Sequence, residues 1–381
     1  MIEEAEVERL RSQLGKTVQV AEPPYLTEVT SDAARHWALA TGDRNQLYTD
    51  ESYARRSIHG ALLAPPTILY AFSRLAIGYR GGLPGVHSMF GGSHWKWNRP
   101  ILVGERISCT VVFKDLIEKT GRFAGRMFKQ VSQIDFKDEH GQLVAEAESW
   151  GFRTGRVSAQ RKAKYSDLAQ KHYTAVELKE IAALYRAEAC RGPLPLYWDD
   201  VLVGDALPGI IRGPYTATTA VAFEQAWGGL FIHAHGYWYE YLARHPHAAI
   251  NNEQGVPEPP EAVHWDSALA RSVGVPGAYD YGPERISWVA SMITNWLGDS
   301  GFLSELYCEV RRFNVVGDLT YCLGAVTDKT EVSPTVGALR IELGSKNQRD
   351  ASTLKGWAIV HVPKRGSQDG NPLSSMPSGD V

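Results

Sequence analysis

Cysteine is scarce in this chain: four residues in 381, at Cys109, Cys190, Cys308 and Cys322, none in a Cys-x-x-Cys pair. That spacing speaks against a zinc site of the usual kind and against a disulfide framework. An excess of one charge is missing too. The formal net charge is −3, so nothing points to nucleic acid or to an anionic membrane surface. No apolar run approaches the roughly 20 residues that span a bilayer, and the acidic start MIEEAEVE is no signal peptide. The expectation is a soluble, cytoplasmic protein, long enough for two or three domains. What the chain has in quantity is aromatic bulk. Eleven tryptophans and seventeen tyrosines fit globular cores with large aromatic packing.

The order of the elements is helices first, strands second. An amphipathic helix opens residues 1–19, and Ser31-Asp32 caps a helix that runs through Trp37 and Ala40 to Gly42. A short helix follows at 48–58. Ala64-Pro65-Pro66 then introduces an apolar helix at 67–78. From Val86 the period changes, and 86–97, 104–113, 122–134 and 144–153 read as strands. This is an α+β order, not alternating βαβ. Residues 156–195 are rich in Lys, Arg, Glu and Ala, with a helix near 175–189. They read as a surface crossover, in which Arg161-Lys162-Ala163-Lys164 is a solvated face. Residues 365–381 lack apolar periodicity and read as a disordered tail.

The second half repeats the first. Trp37, Ala40 and Gly42 correspond to Phe223, Ala226 and Gly228 at an offset of 186. Tyr48, Asp50, Ala54 and Arg55 correspond to His264, Asp266, Ala270 and Arg271 at an offset of 216, and Gly104 to Gly317 at 213. The change of offset marks an insertion. Residues 230–262 read as a lid over the binding channel, with an amphipathic helix at 236–244 and a proline-rich return. Its His233, His235, His245 and His247 lack acidic or thiol neighbours at ligand spacing, so no metal is expected.

The stretch 263–299 carries the densest chemistry. It holds His264-Trp265-Asp266, then Tyr279-Asp280-Tyr281-Gly282, then an apolar helix from Pro283 with Ile286, Val289, Ile293 and Trp296 on one face, ending at Gly298-Asp299. A histidine and a glycine amide beside the positive end of a buried helix can move a proton and hold a carbonyl oxygen.

His264-x-Asp266-x3-Ala270-x3-Gly274-x-Pro276, Gly282 and Trp296-x-Gly298-Asp299 resemble the hydratase segment of MaoC-like (R)-specific enoyl-CoA hydratases. Thr41-Gly42-Asp43-Arg44-Asn45-Gln46-Leu47-Tyr48, with Ala64-Pro65-Pro66-Thr67, is similar to the N-terminal MaoC-like dehydratase domain. The resemblance implies a double hot-dog: two antiparallel sheets, each wrapped round a central helix (67–78 and 283–297), joined side by side. The halves would be 1–155 and 196–364. It implies a hydro-lyase that adds or removes water on a 2-enoyl or 3-hydroxyacyl thioester. Its substrate is carried by CoA or an acyl carrier protein, and no cofactor is needed. A homodimer is left open.

The resemblance departs from the family pattern at its chemistry. The family pairs an aspartate with a histidine five residues on; here the first half has Asp43 and Asn45 but Tyr48, and the second has His264 but Gly229. His264 is therefore the expected acid/base or, on the bland reading, a cap for the short helix near Asp266. Gly282 is the expected carbonyl-oxygen donor, and the pocket is expected in the second half. Asp280 is a candidate partner of His264, or a turn aspartate; Asp43 is either part of a second, degenerate site or a loop brace. Tyr281, Arg285, Asn45, Tyr48, Tyr239 and His235 are candidate substrate contacts, with His235 or Tyr239 as stand-ins for the lost acid. Two other functions stay open: an isomerase or cyclase of secondary metabolism, and a non-catalytic acyl-binding partner subunit.

Overall fold

The structure is a computed structural model that describes residues 3–19, 23–76, 83, 86–121, 125–155, 171–229 and 232–366. The basic run Arg161–Lys164 and nearly all of the expected tail lie outside the described residues. Nine strands form one antiparallel sheet. In chain order they are β1 (Val86–Trp97), β2 (Ser108–Gly121), β3 (Gly125–Lys137), β4 (Leu143–Gly155), β5 (Ile210–Arg212), β6 (Phe302–Val310), β7 (Thr320–Glu331), β8 (Val336–Asn347) and β9 (Ser352–Pro363). Their order across the sheet is β2-β3-β4-β1-β6-β9-β8-β7-β5. Among the described residues, strands of the two halves meet at β1 and β6, with Cys308 opposite Ser93 and Glu305 opposite Lys96. This is the double hot-dog: one continuous layer built from two similar sheets.

The seam needs glycine. A Cβ on Gly92, whose φ is +145°, would lie 2.1 Å from the Cys308 carbonyl oxygen and 2.6 Å from the Trp150 ring. Aromatic rings then pave the seam, Trp150 on Tyr307 at 5.5 Å and Tyr307 stacked on Trp357 at 5.8 Å.

The helices come in two matched sets. Those preceding the sheet of the first half are α1 (Glu4–Arg11), α2 (Ser31–Thr41), α3 (Gln46–Thr49) and α4 (Glu51–Arg56). The crossover carries α5 (Ala175–Ala187), and the second half has α6 (Ala217–Trp227), α7 (Gly236–Arg244), α8 (Ser267–Ser272) and α9 (Gly282–Leu297). Both repeat offsets are structural equivalences. Thr30 caps α2 and Thr216 caps α6, each through its side chain. Gly42 (φ +69°) and Gly228 (φ +80°) end them in the left-handed conformation. Asp50 and Asp266 cap α4 and α8. The matched Trp37 and Phe223 pack edge to face at 5.5 Å.

The central helices differ, and here the expectation for residues 67–78 fails. Helix α9 is the expected long one, with Ile286, Val289 and Ile293 all 0% exposed. Its counterpart is a single 3-10 segment, Pro66–Phe72, ended by Ser73 in an extended conformation. Side chains have claimed its carbonyls. Trp97 Nε1 donates to Pro66 O, Trp227 Nε1 to Tyr70 O and Cys109 Sγ to Phe72 O, while the Leu26 amide takes Ala71 O. Carbonyls so occupied compete with an i→i+4 ladder, and Pro66 cannot donate to one. The segment is buried throughout, but it is not an α-helix.

Candidate active site

Helix α9 separates two sets of candidate residues. At its first turn stand His264, Tyr279, Tyr281 and Gly282. At its last turn stand Asp43, Asn45 and Tyr48. Gly282 and Thr294 are twelve residues apart on one helix, roughly 18 Å at 1.5 Å per residue. Asp43 interacts with Asn295, and Tyr48 with Thr294, so both belong to the far end. Asp43 is therefore out of hydrogen-bond reach of His264, and the two halves do not pool one dyad.

At the near end, the 3-10 turn Pro260–His264 delivers the imidazole. Asp266 Oδ1 accepts from the amides of Ala268 and Leu269 at 2.8 and 3.0 Å, so the aspartate, not His264, caps α8. The ring of His264 is instead fixed from two sides. Its Nδ1 meets the Tyr279 carbonyl oxygen at 2.8 Å. A carbonyl can only accept, so Nδ1 carries the proton in the neutral ring and Nε2 is the nitrogen that takes one up. The ring also stacks on Tyr281 at 3.8 Å between centroids. Tyr281 is 2% exposed, wedged against Phe223 and Trp227 of α6.

Gly282 is the first residue of α9, and its N–H has no acceptor within the helix. The helix dipole adds positive potential at that point. Phe90 explains the glycine. A bulge in β1 brings its ring so close that a Cβ on Gly282 would lie 2.0 Å from Cδ1. The first half thus supplies a wall of the second half's site.

Two expected site residues are withdrawn by their contacts. Asp280 and Arg285 pair with each other, at 0% and 2% side-chain exposure. Arg285 Nε donates to Asp280 Oδ2 at 2.8 Å, and its Nη1 to the carbonyls of Arg312 and Thr353. Asn314 Nδ2 donates to the same carboxylate at 3.1 Å. This buried pair ties the helix start to the β6–β7 loop and to β9, and neither group turns to the site. The expected lid contacts fail similarly. His235 is exposed, with a φ of +55°, and Tyr239 is 61% exposed on the outer face of α7. The inner face of that helix is Trp238 and Tyr241. Tyr239 lines a surface groove with Leu242, Pro246 and His247.

Three residues that the sequence did not single out lie beside these two sets. Glu224 on α6 has both carboxyl oxygens shielded from solvent, and the Tyr281 hydroxyl faces them. Burial, then the neighbouring Glu261, pushes the Glu224 carboxyl up to about 8. Glu261 is 6% exposed and precedes His264 by three residues, as Asn45 precedes Tyr48. The third is His59, at the far end. There a small cavity of about 60 Å³ is lined by Asn45, Tyr48, His59, Pro66, Arg99 and Thr294, among others. Asn45 Oδ1 caps α3 through the Leu47 amide at 3.0 Å, and Asp43 Oδ1 accepts the Asn45 amide at 3.0 Å. Asp43 thus braces the loop, and burial raises its carboxyl.

A signal for Glu224 existed. Ala220, Phe223 and Trp227 make the buried face of α6, and Glu224 falls inside that i, i+3, i+4, i+7 stripe. Glu261 was also countable, at the same offset of 216 from Asn45. Among the described residues no group of three His, Cys, Asp or Glu gathers as a metal site, and no helix is long and apolar enough to cross a membrane.

By fold, the chain is a double hot-dog protein of the MaoC-like type. It superposes on a MaoC-like dehydratase with a TM-score of 0.62 at 18% identity, covering 93% of this chain and 99% of that one. A putative MaoC domain dehydratase from Chloroflexus aurantiacus gives 0.59 at 14%, covering 93% and 96%. Rv0216 of Mycobacterium tuberculosis, described as a double hot-dog fold, gives 0.55 at 11%, covering 92% and 96%.

Sequence places the chain more closely. Residues 17–147 match the family "FAS1-like, dehydratase domain region". A UPF0336 protein of Streptomyces griseus is 30% identical over 130 residues, which is 33% of this chain and 82% of that protein. One from Thermobifida fusca is 28% identical over 116 residues, 29% and 74% respectively. The chain belongs to this dehydratase-region family, and it repeats the unit.

Proposed function

We propose that the protein hydrates 2-enoyl thioesters, or dehydrates 3-hydroxyacyl thioesters, at the near end of α9. The observation that carries this reading is the pinned imidazole of His264 beside the helix-start amide of Gly282. The thioester oxygen would accept from Gly282 N–H, where the helix dipole favours the developing negative charge. His264 Nε2 would exchange the proton at C2. Hydration moves only a proton and a hydroxide across a double bond, so acid, base and an oxyanion donor suffice. CoA and an acyl carrier protein both present such a thioester, and either suits the reading.

The first half supports a different use. Tyr48 replaces the histidine there, and Pro66 stands where Gly282 would be, with no N–H to offer. The small cavity over Asn45 and Tyr48 suits binding without chemistry. The assay is the loss of enoyl-thioester absorbance with 2-enoyl-CoA substrates of increasing chain length. Turnover lost in His264→Ala and kept in Tyr48→Phe supports the reading. Turnover that survives His264→Ala would overturn it.

A further inference from the structure

The second half lacks the family's aspartate, yet the site is not without a carboxyl group. Helix α6 carries Glu224 on its buried face, between Phe223 and Trp227, and both of those rings pack against Tyr281. Tyr281 in turn stacks on His264 at 3.8 Å. The Glu224 carboxyl faces the Tyr281 hydroxyl, and both of its oxygens are shielded from solvent. A carboxyl buried among aromatic rings calls for an explanation. The backbone makes room for this carboxyl: a Cβ on Gly229 would stand 2.4 Å from Glu224 Oε2. Gly229 is the residue that matches Asp43. The glycine that removes one carboxylate therefore admits another, from a different element.

We infer that Glu224 is the acid of the second-half site, working with His264 as the base. The inference rests on the proposed thioester chemistry and deepens it. In the dehydration direction, His264 Nε2 takes the C2 proton of a 3-hydroxyacyl thioester, and the electron pair moves onto the carbonyl oxygen at Gly282 N–H. As it returns to form the C2–C3 double bond, the C3–O bond breaks. The leaving hydroxyl takes the Glu224 proton and departs as water. Glu224 is left as carboxylate and His264 as imidazolium, and transfer of that proton to Glu224 restores both. Hydration is the reverse.

The role requires a neutral carboxylic acid at working pH. Among the described residues, Glu261 on the 3-10 turn, Tyr281 before α9 and Tyr215 before α6 face Glu224. His264 lies across the Tyr281 ring, and the cationic Arg74 approaches through the Gly229 carbonyl, to which its Nη1 donates at 3.4 Å. Glu284 lies behind Tyr215, whose hydroxyl donates to it at 3.0 Å. Such a setting favours the protonated form, in line with the rise to about 8.

The test uses the full chain with a 2-enoyl-CoA and the matching 3-hydroxyacyl-CoA. Glu224→Gln is isosteric and keeps the packing, so a merely structural role predicts a rate within about threefold of wild type. The expected result is a turnover rate slowed by roughly two orders of magnitude or more, with KM changed less than about threefold. The expected pH profile of dehydration falls above about pH 8 in wild type, and that limb is gone in the residual rate of Glu224→Gln. An infrared titration supplies a readout besides activity: a protonated-carboxyl band near neutral pH that disappears in Glu224→Gln. If Glu224→Gln keeps its rate while His264→Ala is inactive, the inference falls and the proposed function stands. A wild type that turns over no thioester overturns both.

Discussion

The two ends of α9 hold matched residues, flanked by the same caps and equipped differently. At the far end these are Asp43, Asn45 and Tyr48 beside Pro66; at the near end Gly229, Glu261 and His264 beside Gly282. The scaffolding of both copies is intact: threonine caps at 30 and 216, left-handed glycines at 42 and 228, aspartate caps at 50 and 266. What has diverged is the set of groups able to move a proton or hold an oxyanion. On the proposed reading, duplication leaves one copy free of chemistry while packing still constrains both. The shortened central segment Pro66–Phe72 belongs to the copy with Tyr48 at the matched position, whereas the full helix belongs to the copy with His264 there.

The largest expected effect tests that division directly. His264→Ala should slow hydration by about three orders of magnitude, within the range of about 10²–10⁴ typical of acid–base catalysis. Tyr48→Phe should stay within a few-fold, since no proton carrier is lost. Steady-state kinetics on both variants would read this. Equal losses would mean that the ends work as one site and would break the comparison.

Next come the ion pairs, one serving each end. Asp280–Arg285 is sealed at 0% and 2% exposure, so Asp280→Asn should cost about 3–5 kcal/mol by leaving Arg285 short of a counter-charge. Arg212, which clamps the end of α2 through the carbonyls of Thr41 and Gly42, pairs with Glu188 at 12% exposure. Glu188→Gln should cost less, because Arg212 keeps those carbonyls. Urea unfolding of the two variants gives the ranking, and a larger loss in Glu188→Gln would reverse it.

A pH effect follows from Glu224 with a definite sign. Its carboxyl is raised from 4.5 unfolded to about 8 folded. Below pH 4.5 both states hold the proton and nothing is lost. Between 4.5 and 8 the unfolded chain releases it and the native chain does not, so stability declines as pH rises through that window. Glu224→Gln lacks this decline. It should be more stable than wild type at about pH 8 by on the order of a few kcal/mol, with the gap closing by pH 4.5. Denaturant midpoints at the two pH values check it, and a gap that does not change with pH would place Glu224 in solvent.

Much of this was legible in the residues, and the parts that were not have physical causes. The repeat, the element order and α9 could be read because caps, left-handed glycines and helical periodicity are local signals. The shortening of the first central helix could not, because the groups that take its carbonyls, Trp97, Trp227, Cys109 and Leu26, come from distant positions. Asp280 was misplaced for the same reason. Its nearness to Gly282 in sequence is real, but Arg285 and Asn314 turn its carboxylate away from the site. Glu224 stood in an apolar helical stripe and was passed over.

The smallest expected effect sharpens the comparison at its most alike positions. Gly42 and Gly228 both end a helix at positive φ, so alanine at either should cost about 1 kcal/mol for the left-handed backbone alone. Their surroundings differ. A Cβ at Gly42 would lie 3.2 Å from Arg212 Nε, a buried group already donating to the Thr41 carbonyl, so that clamp would have to shift by a few tenths of an ångström. At Gly228 it would lie 2.0 Å from the Tyr25 ring. Tyr25 is 48% exposed and can swing out, at the cost of its hydrogen bond to the Gln225 carbonyl at 3.1 Å. A bond of that kind is worth about 0.5–1.5 kcal/mol. The Tyr25 contribution to the cost of Gly228→Ala should therefore be roughly that amount. In a Tyr25→Ala background the cost of Gly228→Ala should fall by that amount, since only the backbone strain is left at Gly228. A double-mutant cycle between Tyr25→Ala and Gly228→Ala measures the difference. A coupling energy near zero would mean that the Tyr25 ring does not rest on this helix end, and that the two ends are alike in packing as well as in backbone.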